Sequence, residues 1–288
     1  MDGRVREGEG ARGRGGDYSS PTLPLFHSPP LSLAATFILS IVVAAIAAPM
    51  AAQQLSNLEP ERPITVEDAR PVPYRAFAGA VDWTYSERRD GFNDYGPGFS
   101  LLYGAARGLE TGAALRYVTR PRRNAGRGIS SGDLFLHALY EICPESATGP
   151  ALAVRADVQL PTGLDSKGTD VHLTGLATRT FDAFRLHANF RFTREGATAP
   201  MERSERYEGV AGIDYLLSRR GLTDTLALAD VVVRTNPLIG GPAVITIEAG
   251  ARRRIGSQTS FFAGAGTDLA GPGGRTKVRV RVGVSQMY

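Results

Sequence analysis

The sequence predicts an all-β fold: a closed, antiparallel, up-and-down transmembrane β-barrel of about twelve strands. Three observations predict it. The closing stretch "KVRVRVGVSQMY" puts Val278, Val280, Val282 and Val284 on one parity and Lys277, Arg279, Arg281 and Gly283 on the other, the period of two that marks a strand with unlike faces. From Phe77 to the end, twelve stretches of roughly ten residues alternate in this way, each bounded by Gly, Pro, Asp or Asn; tilted strands of ~9–11 residues cross a bilayer. The gaps between them alternate too. Longer ones such as "SERRDGFNDYGPG" and "TRPRRNAGRGISSG" fall at odd connections and shorter ones such as "AARG" and "FDAF" at even ones, as in outer-membrane barrels with both termini periplasmic. Ten or fourteen strands are the alternative counts, and a soluble sandwich with a bare edge strand is the alternative fold.

The apolar run "LSLAATFILSIVVAAIAAPMAAQQ" (31–54) follows arginines at 4, 6, 12 and 14 and ends in small residues. That order reads as a signal peptide with an extended n-region, residues 1–52, cleaved between Ala47 and Ala52; a retained transmembrane anchor is the alternative. No cysteine stands at the new N-terminus, and Cys143, the single cysteine, has no intramolecular partner for a disulfide. Residues 53–75, "QQLSNLEPERPITVEDARPVPYR", are rich in Pro and charge without a sustained period, which predicts an extended periplasmic linker ahead of a barrel over 76–288. The net charge of +4 is small and its arginines are spread along strands, so no nucleic-acid partner is expected.

Within the barrel, "ALAVRADVQL" faces Leu152, Val154, Ala156, Val158 and Leu160 to lipid and Arg155, Asp157 and Gln159 inward. "FRLHANFRFT" sends Phe184, Leu186, Ala188, Phe190 and Phe192 out and Arg185, His187, Asn189 and Arg191 in. A two-residue turn at Asp182 and Ala183 fixes a register in which Phe181 faces Phe184, Thr178 faces His187 and His172 faces Thr193. It also leaves Arg179 on the lipid parity opposite Leu186, close enough to the rim to snorkel. Phe181, Phe184, Tyr140, Tyr215 and Tyr288 are expected in the aromatic girdle nearer the termini, and the aromatic C-terminus Tyr288 has the form read by barrel-assembly machinery.

"ERPITVEDARPVPYRAFAGAVDW", with "SGDLFLHALYEI" and "PALAVRADVQLPTGLDSKGTDVHLTGLATRTF", resembles the putative phenol meta-cleavage-pathway (transporter) family of bacterial outer-membrane proteins over about residues 62–192. The resemblance implies an outer-membrane channel for aromatic or other small hydrophobic compounds. Physically, Leu160–Gly163 is a strand exit, since Pro161 lacks an amide proton and Gly163 tolerates a positive φ.

The inward parity collects the candidate lining residues Arg116, His137, Glu141, Arg155, Asp157, His172, Arg185, His187, Asn189, Arg191, Asp214, Glu248, Arg252, Arg279 and Arg281. Ions of both signs inside a narrow barrel either select solutes or form salt bridges that fill it. The function expected is passive passage of a small solute, with outer-membrane lipid and lipopolysaccharide as surroundings; a plugged structural or adhesive barrel is the alternative. An outer-membrane lipid hydrolase is the enzymatic rival. His172 and His187 lie six residues apart in register, about 20 Å, so they form no dyad. No Gly-x-Ser-x-Gly elbow is present and "GAGTDLAGPGG" opens no helix, so neither catalysis nor a cofactor is expected.

Overall fold

A computed structural model of the chain describes residues 57–288 apart from 92, 122–126, 164–165, 167, 183, 218–223 and 273–274. The expected signal peptide therefore lies outside the described residues. Twelve strands follow in order: β1 (Phe77–Arg88), β2 (Asn93–Ala106), β3 (Leu109–Pro121), β4 (Arg127–Cys143), β5 (Ala151–Leu160), β6 (Asp170–Phe181), β7 (Phe184–Arg194), β8 (Glu205–Leu216), β9 (Thr225–Arg234), β10 (Val244–Arg254), β11 (Thr259–Ala270) and β12 (Thr276–Met287). Each pairs antiparallel with its neighbours, and β12 returns to pair with β1, so the barrel is closed and has no free edge. Phe77 and Tyr288 exchange both backbone hydrogen bonds at the seam, at 2.9 and 2.7 Å. Among the described residues no helix is long and apolar enough to cross a membrane.

The β6–β7 register is the one the tight turn predicts: Phe181 opposite Phe184, Thr178 opposite His187, His172 opposite Thr193. Asp182 holds the positive φ, 53°, that a two-residue turn requires. The turns differ from expectation at the end away from the termini. "SERRDGFNDYGPG" reads as a long loop, yet β1 and β2 stay paired to Glu87 and Asn93 and leave only 89–92 as the turn. Likewise β3 and β4 stay paired from Pro121 to Arg127. Gly- and Arg-rich sequence there continues the cross-strand pairing, so the asymmetry lies in strand overhang as much as in loop length.

The wall sorts by parity. Phe190, Val280, Val282 and Val284 face outward and are exposed, while Arg155, Arg185, His187 and Arg281 on the opposite parity are buried. Aromatic rings cluster at two levels of the outer surface. Phe181 stacks on Phe184 at 5.4 Å and Phe77 on Tyr103 at 4.5 Å near the termini; Trp83 stacks on Tyr95 and Phe190 on Tyr207 towards the other end. Eight residue steps separate Phe184 from Phe192 on β7. At about 3.4 Å per residue and about 40° of tilt the apolar band is roughly 21 Å tall. Arg179, on the outward parity, does not merely reach for solvent. Its guanidinium donates to the carbonyls of Ser146, Ala147 and Gly149 at 2.5–2.8 Å and so organises the β4–β5 turn.

The segment ahead of β1 departs from its expectation as a linker. Residues 57–72 run inside the barrel, and Leu58, Ile64, Val66, Ala69 and Val72 are almost wholly buried, while residues 73–75 are exposed where the chain turns into β1. The interior contains three apolar clusters, each joining segment to wall: Leu58, Ile64 and Val66 with Leu226, Leu228 and Val232; Ala69 with Leu139 and Leu176; Val72 and Ala76 with Leu102 and Met287. Proline and charge without a period read as linker in water. Inside a charged barrel the same residues can be buried because the wall supplies their partners.

Candidate functional site

The site is the inner face of the wall together with the segment it encloses. Alternation places polar side chains from every strand towards one axis, and the segment meets them in sequence order. The N–H of Thr65 donates to Glu248 on β10 (2.7 Å), that of Val66 to Asp230 on β9 (2.8 Å), that of Glu67 to Asn189 on β7 (3.0 Å), that of Ala69 to Thr178 on β6 (3.0 Å) and that of Val72 to Glu110 on β3 (2.8 Å). The chain thus travels round the inner wall against the strand order until Arg75 bonds the Gly104 carbonyl on β2 and β1 begins. Its backbone has no strand ladder, so inward carboxylates, an amide and a hydroxyl satisfy it instead.

Side chains pair the other way round, with segment acids meeting wall arginines. Glu67 bonds Arg155 and lies 3.2 Å from Arg191; Asp68 bonds Arg185 at 2.5 Å; Glu59 lies 3.5 Å from Arg252. Arg62 reverses the polarity and donates to Asp82 at 2.7 Å and to Ser100 at 2.8 Å. Wall–wall pairs complete the network. Arg155 Nε donates to Asp157 (2.9 Å), Arg185 grips both oxygens of Asp214 (3.2 and 2.5 Å), Arg279 meets Glu248 (3.1 Å) and His137 meets Glu110 (3.1 Å). Buried charges this dense persist only when each is matched and hydrogen-bonded.

All fifteen candidate residues stand on strands, and the structure brings most into this one network. Arg252 also donates to the Asn57 carbonyl and to Ser285. His172 sits apart, between Thr193 (2.9 Å) and Gln159 (3.3 Å), and stacks on Phe135. Glu141 is half-buried near the termini end, its own N–H on the Gly108 carbonyl. Sequence reasoning missed the acids Asp82, Glu110 and Asp230 and the whole of residues 57–72. A signal was present in the inward glycines. A Cβ on Gly104 would lie 2.0 Å from the Pro73 carbonyl oxygen, and one on Gly264 2.5 Å from that of Pro63, so these strands are cut back to admit a second backbone.

Thr178, His187 and Asp214 form a hydrogen-bonded row, with Thr178 Oγ1 3.0 Å from His187 Nδ1 and His187 Nε2 2.9 Å from Asp214. All three are at most 3% exposed, and Thr178 Oγ1 also accepts the Ala69 N–H. With the hydroxyl buried and already bonded to the segment, the row anchors the chain and offers no face to a scissile ester. Among the described residues no group of three or more His, Cys, Asp or Glu could hold a metal ion.

Among the described residues, two sizeable cavities border the segment. One, of about 310 Å³, is bounded by Thr84, Glu208, Arg234, Arg279 and Arg281; the other, of about 280 Å³, by Leu102, Phe135, Gln159, His172 and Arg191. Glu61 and Arg116, 3.3 Å apart, line both.

The chain is similar in fold to an outer-membrane channel from Pseudomonas putida F1, with a TM-score of 0.61 at 14% identity over 77% of this chain and 98% of that one. It is also similar to the NanC porin, with a TM-score of 0.53 at 9% identity over 73% of this chain and 98% of the porin. At these identities the likeness establishes the barrel fold. No protein-family profile matches the sequence, and no curated protein matches it.

Proposed function

We propose that the protein is a bacterial outer-membrane channel through which a small solute diffuses, and that it is not an enzyme. The observation that carries this reading is the sorting of the wall: an apolar exterior band between aromatic rings, and an interior ringed with arginines and acids around two cavities. Hydrocarbon suits the outside and water the inside. The fold neighbours are a channel and a porin, which supports the same class. The resemblance of residues 62–192 to the phenol meta-cleavage-pathway family favours a small aromatic or hydrophobic solute. Tyr288, paired with Phe77 at the seam, is the end offered to the assembly machinery, and lipopolysaccharide would bathe the wall around the longer-stranded end.

The buried segment favours a second reading, a plugged barrel with a structural role. Reconstitution of the purified protein in planar bilayers separates the two. The channel reading expects discrete current steps of small size, enlarged by Gly212→Val, because a Cβ at Gly212 already lies 2.6 Å from Val66 and extra bulk must push the segment off the wall. A bilayer that stays silent for wild type and variant alike would leave the plugged barrel.

A further inference from the structure

Glu61 differs from every other acid of the buried segment. Glu59, Glu67 and Asp68 have side chains at most 4% exposed, whereas that of Glu61 is 38% exposed. It occupies the tip of a turn closed by the Arg62 N–H on the Glu59 carbonyl, with a left-handed φ of 57°. Guanidinium groups from three strands far apart round the barrel converge on its carboxylate: Arg116 of β3 at 3.3 Å, Arg191 of β7 at 3.7 Å and Arg281 of β12 at 3.8 Å. These are looser than the 2.5–2.9 Å contacts that fix Arg62, Arg155 and Arg185 to their wall partners.

The three arginines are not equally committed. Arg191 also holds Glu67 and Glu208, and Arg281 also faces Asp82. Arg116 has Glu61 as its carboxylate partner among the described residues, and its Nε is buried without a hydrogen bond. Both cavities end on this pair, and the smaller one continues from it along Leu102 and Phe135. A cationic cluster facing one carboxylate, beside a cavity whose mixed lining includes Leu102 and Phe135 together with Gln159 and His172, fits an amphipathic anion.

We propose that Glu61 is a tethered stand-in for a solute, and that the arginine cluster around it is a binding site for a small aromatic carboxylate. The proposal rests on the channel reading and names its solute class. The incoming carboxylate takes the place of the Glu61 carboxylate against Arg116, Arg191 and Arg281, and its ring lies in the cavity beside Phe135. Glu61, already partly exposed at a turn tip, swings into the larger cavity. No bond is made or broken: the solute carboxylate takes over the ion pair, and the displaced Glu61 carboxylate remains in the larger cavity, which Arg234 and Arg279 also line. Guanidinium–carboxylate pairing supplies the selection for anions, and Leu102 and Phe135 the selection for a ring. A tether holds its competitor at millimolar effective concentration, so the solute binds weakly enough to leave.

Calorimetric titration of the full chain in detergent micelles, with benzoate and its neutral analogue benzamide as probes, tests this. Glu61→Gln keeps the shape and removes the competing charge. It is expected to bind benzoate about tenfold or more tightly than wild type, with benzamide unchanged and the gain lost when Arg116→Gln is added. Should the Gln variant not fold, Glu61→Asp keeps the charge but draws it back by one methylene, and benzoate affinity is expected to rise about threefold. Equal benzoate affinity in wild type and variant, or an equal gain for benzamide, would overturn the proposal. Because micelle binding needs no current, a protein that binds benzoate in this way yet stays silent in bilayers would sink the channel reading alone, and one that conducts without the gain would sink only the stand-in.

Discussion

Arg185 shows what a guanidinium does inside this barrel. It joins the segment, through Asp68, to the wall, through Asp214, and Asp214 in turn holds His187. Replacing it with leucine strands two buried carboxylates. Arg185→Leu is expected to destabilise the folded barrel by about 3–5 kcal/mol, read from the midpoint of urea unfolding in detergent; a change below about 1 kcal/mol would mean that these acids are solvated. Glu145, on the β4–β5 turn, is held in its ionised form by its neighbours. Burial works to raise its carboxyl, but the Thr180 N–H and hydroxyl and the Arg70 guanidinium hold it below the ordinary glutamate value. A lowered folded pKa gives stability that is present above the ordinary range, about 4.3, and lost as pH falls through the lowered value. Thermal stability of Glu145→Gln is therefore expected to fall less steeply than wild type below pH ~4.3, and parallel curves would contradict the tie. At this scale the arginines and histidines of the inner face could be read from parity alone, as Arg155 and His187 show. Wall partners such as Asp157 and Asp214 came with them, but the partners in the segment did not, because a carboxylate such as Asp68 belongs to a stretch with no period to place it.

The strands were legible because lipid and water impose opposite demands on alternate residues, and the pattern repeats twelve times. The β6–β7 pairing was legible to the residue because "FDAF" leaves no other turn. The segment over 57–76 was not, since periodicity describes elements that bond to themselves or to a neighbour in step, and this chain bonds a different strand at nearly every residue. Its grip on the wall depends on close approach at glycine. Gly104 receives the Pro73 carbonyl and exchanges backbone bonds with Arg75 and Ala76. Gly104→Ala puts a methyl 2.0 Å from that oxygen, where no rotamer change relieves it. The expected cost is about 1–3 kcal/mol of overpacking, seen as a lower unfolding midpoint together with faster proteolysis ahead of Phe77. Unchanged proteolysis would show that the segment is held elsewhere. The overhanging hairpins at β1–β2 and β3–β4 were misread as loops for a related reason: glycine and arginine punctuate soluble strands, but where the neighbouring strand continues the pairing they need not end one.

At the scale of the whole molecule, the wall and its contents form one object. A closed ladder pairs the strands, an apolar band faces outward, and arginines and acids of the interior pair across segment and wall. The central claim is that hydrocarbon touches the outside of that wall. The chain contains a single tryptophan, Trp83, which stands on the outer face of β1, 47% exposed and stacked on Tyr95. Its fluorescence in reconstituted vesicles is the most direct test. Lipids brominated on their acyl chains should quench it strongly while aqueous iodide leaves it nearly untouched. Strong quenching by iodide with none from brominated lipid would put that face in water and contradict the account.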